Sequence, residues 1–169
     1  MSLYYSVSDK ASGWSRRHWE HLRECQWFAQ QIASGYAAHL GAPPGVVTFV
    51  LITPDLTFGK EHHGIDQPLA LPQGRNGLHY FGLNVHFEAG MFGSHSRSLF
   101  GIRKKSRAWE VEYDGQVSEV PFDDMNELTT VFERIVQGAL LVYESDDKSP
   151  RLPIGFVEPT YAPRSIKER

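Results

Sequence analysis

The chain has 169 residues and a mass of 19.2 kDa, the size of one ordinary domain. Ten Phe, seven Tyr and four Trp exclude a disordered chain, and the longest apolar run, Val46 to Ile52, is already broken by Thr48 and too short to span a membrane. The single cysteine, Cys25, excludes an internal disulfide and a zinc site built from cysteines, and a net charge of -3 excludes a broadly basic nucleic-acid binder. No basic segment followed by an apolar run opens the chain, so a cytoplasmic location without membrane contact is expected.

Leu3-Tyr4-Tyr5-Ser6-Val7 is rich in β-formers and predicts a short strand, followed by a turn from Asp9 to Gly13. From Ser15 to Leu40 there is no proline, and His18, Leu22, Cys25, Ala29, Ile32, Tyr36 and Leu40 recur at the spacing of one helical face. Trp19 and Phe28 widen that stripe. Gly41, Pro43 and Pro44 end the helix. Val46 to Thr53 is a β-branched and aromatic run that predicts a strand covered on both faces, stopped by Pro54. Residues 54–77 hold four glycines among three prolines with little periodicity; so long a connection is either functional or partly structured in a way that periodicity does not show.

Leu78 to Glu88 alternates, with Leu83, Val85 and Phe87 on one side and Asn84, His86 and Glu88 on the other. A loop at 90–96 leads to strands over Ser98 to Arg103 and Ala108 to Tyr113. Asp114-Gly115 is a two-residue hairpin signal, returning as a strand from Gln116 to Pro121. Asp123 or Asp124 caps a second helix, with Glu127 completing a capping box and Leu128, Val131, Phe132, Ile135, Ala139 and Val142 forming its apolar stripe. Arg151 to Val157 predicts a last edge strand, and residues 159–169 a flexible tail. The expected fold is a single α+β domain over residues 1–158: a mostly antiparallel sheet of about five to seven strands with two long helices packed on one face.

Charge is unevenly placed. Residues 97–107 carry five cations and no acid, whereas residues 108–149 carry eleven acids against Arg134 and Lys148. The hairpin turn sets Glu110 directly across from Glu119 and Glu112 across from Val117, and facing carboxylates repel by a few tenths to about 1 kcal/mol. Either a neighbouring cation offsets this, with Arg103 diagonal to Glu110 across a turn at 104–107, or a basic partner does. Glu110, Glu112, Glu119, Asp123, Asp124 and Glu127 are the candidate partner-binding residues. They fit a protein that occludes a basic protein surface, as a regulatory factor or in the manner of bacterial antitoxin-like immunity proteins. That analogy is functional, and no motif carries it.

All eight histidines lie at or before His95. His62 and His63 in the long connection, with His86 and Glu88 on one strand face, form the alternative site. Imidazoles with a carboxylate suit a divalent metal in a small hydrolase or oxygenase. On the binder reading no cofactor is needed. Adjacent His62 and His63 point apart in an extended segment, and His79 and His95 join only where the fold brings them in. Cys25 reads as a small core residue on the helix stripe.

Overall fold

The computed structural model describes residues 2–66, 69–87, 94–144 and 156–157. Two helices and an antiparallel sheet form one α+β domain. The order along the chain is α1 (Leu3–Leu40), β1 (Val47–Ile52), β2 (Phe58–Gly64), β3 (His79–Phe87), β4 (Ser94–Lys104), β5 (Ala108–Tyr113), β6 (Gln116–Pro121), α2 (Glu127–Glu144) and β7 (Phe156–Val157). Across the sheet the strands run β2-β1-β3-β4-β5-β6, and the two-residue β7 pairs with β4 opposite Arg97 and Ser98. Residues 159–169, expected to be flexible, lie outside the described residues.

The N-terminus departs from expectation. Leu3 to Val7 and the Asp9–Gly13 turn are the first turns of α1, which runs unbroken for 38 residues. Tyr, Val and Ser have modest helix propensity and Gly13 still less, but these preferences are small per residue and a continuous apolar stripe overrides them. The helix ends as expected at Gly41 (φ 60), whose N–H donates to the Ala38 carbonyl while that of Ala42 donates to Ala37. This left-handed terminus satisfies the last carbonyls.

The long connection also contains an unforeseen element. β2 lies within it as an edge strand, with Thr48 opposite Gly64 and Ile52 opposite Phe58. Phe58 and Leu56 pack with Ile52, Leu78, Tyr80 and Leu99 into a small apolar cluster on the sheet face away from the helices. β1 is therefore interior and covered on both sides, as its β-branched and aromatic run predicts.

The main core lies between the sheet and the helices. Phe49, Phe81, Leu83, Phe100, Ile102 and Val111 face Phe28, Ala29 and Ile32 of α1 and Val131 and Ile135 of α2, all nearly inaccessible. Phe28 stacks on Trp109 with centroids 4.2 Å apart, and Phe81 stacks on Phe100 at 5.1 Å. The helices touch where a Cβ on Gly35 would come within 3.2 Å of the Phe132 ring. α2 begins three residues after Asp124, whose carboxylate accepts from the Asn126 N–H at 3.0 Å; Asp124 shapes the turn before the helix rather than capping it. Replacing Phe28 by Ala should remove the Trp109 stack and leave a cavity, costing about 3–5 kcal/mol in urea or thermal unfolding.

Candidate functional site

The β5–β6 hairpin has the expected register: Tyr113 opposite Gln116, Glu112 opposite Val117, Glu110 opposite Glu119. Asp114 (φ 54) and Gly115 (φ 68) both take the left-handed backbone that the two-residue turn demands. The turn between β4 and β5 sits one residue later than expected, with Lys105 and Ala108 closing it, so Arg103 lies directly across from Glu110. Arg103 Nη2 donates to Glu110 Oε1 at 2.7 Å, Lys105 binds the other carboxylate oxygen, and Lys105 also reaches Glu119 Oε1 at 2.8 Å. The repulsion between the two glutamates is thus offset within the hairpin.

Glu110 is buried, while Glu119, Asp123, Asp124 and Glu127 are exposed and Glu112 is half-buried. The hydrogen bond from Lys105, with the Arg103 charge beside it, holds Glu110 below the ordinary carboxylate value of 4.5 against the opposing effect of burial.

The predicted histidine site is divided. His62 and His63 occupy consecutive positions of β2 opposite Val50 and Phe49, and Glu88 lies outside the described residues. His86 sits across from His95 on β4, the rings 4.4 Å apart, and its Nε2 is 2.7 Å from Asn84 Nδ2. Thr48, Asn84 and Arg97 form a polar row across β1, β3 and β4 on the same face. In that row and beside it, Thr48 Oγ1, Asn84 Oδ1, His95 Nδ1 and Arg97 Nε are buried and unpaired.

Two features were not legible as sites. The first is a meeting of His21, Cys25 and His79, whose ligand atoms lie within 4.8 Å of one another. It is the sole group of three or more metal-ligating side chains among the described residues. His21 and Cys25 are one turn apart on α1, with His21 Nε2 3.7 Å from Cys25 Sγ. His79 opens β3 on its core side, its ring 5.4 Å from that of His21. The i, i+4 spacing was the available signal. It went unused because the third member comes from a residue far along the chain.

Cys25 is fully buried as expected, and burial pushes its thiol up to about 12.

The second feature is α1 itself. Cys25, Phe28, Ala29, Ile32, Ala33 and Tyr36 are buried, but Leu3 (84%), Val7 (61%), Trp14 (62%) and Trp19 (61%) are not. At about 100° per residue, Leu3, Val7, Trp14 and His18 fall within roughly 60° of Cys25 and Tyr36, whereas Trp19 lies about 100° or more from that face. The core stripe therefore continues off the sheet. Among the described residues no helix is long and apolar enough to cross a membrane.

No protein-family model, no curated protein and no solved structure matches this chain.

Two outcomes follow from these environments. A carboxylate whose folded value is depressed adds stability above its ordinary value and loses it as pH falls through the folded one. Glu110→Gln should thus reduce stability at neutral pH by about 1–2 kcal/mol and flatten its decline below pH 4.5, read by chemical unfolding at several pH values. Cys25 in the metal-free folded protein should react with a thiol reagent far more slowly than in denaturant, because it is inaccessible and protonated at neutral pH.

Proposed function

We propose that this chain is a protein-docking domain, that its docking face is the N-terminal half of α1, and that the occupant of that face is a second copy of the chain. One observation carries the reading. The helix face that is core from Cys25 to Tyr36 remains apolar back to Leu3, yet nothing among the described residues covers it. Most helical stability in proteins comes from packing an apolar face, and the projecting half has Gly13 mid-segment, no acid in its first turn and no side-chain cap. Covering Leu3, Val7 and Trp14 supplies the burial that makes it stable. A row of large apolar residues at helical spacing is also the usual form of a helical docking surface.

Charge selects the second copy. Lys10 and Arg17 flank the exposed stripe, and Arg16 lies on the opposite side of the helix. Beside the point where α1 leaves the sheet lies an acidic edge. Lys104 binds Glu24 of α1 at 2.6 Å and lies 5.7 Å over the ring of Phe122, which is followed by exposed Asp123 and Asp124. A second copy running antiparallel offers an equal stripe for the apolar residues. On this reading Asp123, Asp124 and Glu127 are contact residues toward a basic surface, whereas Glu110 serves the hairpin. Two-fold pairing makes the contact reciprocal and closed.

Light scattering on the eluting protein should give twice the 19.2 kDa chain mass. The double variant Val7→Glu, Trp14→Glu should elute as a monomer with the near-ultraviolet signal of the buried aromatics retained. Asp123→Lys with Asp124→Lys should weaken the dimer. A wild-type monomer at every concentration, or a dimer indifferent to Val7→Glu and Trp14→Glu, overturns the proposal.

A further inference from the structure

The geometry points to a divalent-metal site of zinc type formed by His21 Nε2, Cys25 Sγ and His79 Nε2, with a fourth position left for water or an incoming ligand. This site uses other residues than the docking face: it lies where α1 is covered by the sheet, against β3.

His79 supplies the strongest observation. It is 2% exposed, and its Nε2 is buried with no hydrogen-bond partner. Leaving a buried polar nitrogen unpaired costs about 1–3 kcal/mol, so native proteins seldom do so without a purpose. Its other nitrogen, Nδ1, lies 3.4 Å from the Leu71 carbonyl. An N–H at Nδ1 directed to a carbonyl leaves Nε2 as the lone-pair nitrogen, the arrangement found in metal-bound histidines. One nitrogen of His79 belongs to the group of three, and the Nδ1 contact with Leu71 leaves Nε2 for that role.

Spacing provides a second argument. Bond lengths of about 2.3 Å to sulfur and about 2.0–2.1 Å to nitrogen place tetrahedral S and N ligands roughly 3.6 Å apart. His21 Nε2 and Cys25 Sγ stand 3.7 Å apart. The two residues are one helical turn apart, so α1 holds two ligands without help from a loop. The strand supplies the third. Two imidazoles and one thiolate suit a borderline ion, and three protein ligands are the number that leaves a zinc coordination position open. Cys25 binds as thiolate, so uptake of one ion releases its proton while both imidazoles bind neutral.

The position within the fold gives the ion a task. Cys25 is the first buried residue of α1, and His21 is one turn nearer the N-terminus. The ion would fasten the helix to β3 where it leaves the sheet, fixing the direction of the overhanging half.

Metal-stripped protein titrated with Co(II) should develop a thiolate-to-cobalt charge-transfer band and tetrahedral visible absorption, saturating at one ion per chain. Zn(II) should displace the cobalt and raise the melting temperature. Cys25→Ser should abolish the charge-transfer band. His79→Gln and His21→Gln should weaken binding by more than about tenfold. Partly exposed His21 makes the second of these the variant least exposed to misfolding. His86→Ala should bind as the wild type does. Absence of the band, or a band and affinity unchanged in His21→Gln and His79→Gln, overturns the assignment. Cobalt bound only through other histidines gives no thiolate band and overturns it equally.

Discussion

The structure depends on a mismatch of lengths. At about 1.5 Å per residue the 38 residues of α1 span roughly 57 Å, whereas six strands at about 4.8 Å spacing make a sheet roughly 24 Å wide, and its longest strand, of 11 residues, extends roughly 36 Å. No orientation of the helix on the sheet covers it end to end. The stacking of Phe28 on Trp109 and the burial from Cys25 to Tyr36 anchor the C-terminal half. The rest must project. An apolar overhang is costly in water, and that cost is the physical basis for a docking role.

Electrostatics follows a similar division between what is used inside the domain and what is offered outside it. The cations at the end of β4 are largely committed. Arg103 and Lys105 hold Glu110, Lys105 also holds Glu119, and Lys104 ties the hairpin end to Glu24 of the helix. Arg134 of α2 reaches Gln116 and Ser118 on β6. Among the exposed acids, Asp123, Asp124 and Glu127 lie together at the junction of β6 and α2, close to where the helix leaves the sheet. The charge asymmetry of the chain is therefore partly internal wiring and partly a surface.

Buried polar groups mark two places. On the far side of the sheet Thr48, Asn84, His86, His95 and Arg97 share three adjacent strands. On the helix side His79 meets His21 and Cys25 at the boundary between the covered and the projecting parts of α1. Imidazoles are expensive to bury, and burial alone already lowers the proton affinity of His79. Their placement at the helix exit, rather than in the centre of the core, ties the chemistry of that cluster to the geometry of the overhang.

The sequence by itself determined what local periodicity and turn chemistry can carry. It predicted the antiparallel α+β class, the stripe from Leu22 to Tyr36, the stop at Gly41, the alternation of β3 and the pairing register around Asp114-Gly115. These are set by residues a few positions apart. It misread Leu3 to Val7 because β-formers in a short window look like a strand, and only a view of the whole stripe shows that they continue a helix. It missed β2 because an edge strand among glycines and prolines has no periodic signature and is defined by its pairing with β1. That Lys105 joins Arg103 on Glu110, where α1 runs out of sheet, and that His79 comes to rest against His21 and Cys25 were decided by tertiary structure alone. Each of these depends on bringing together residues from different elements, and a linear pattern does not encode the distances between them.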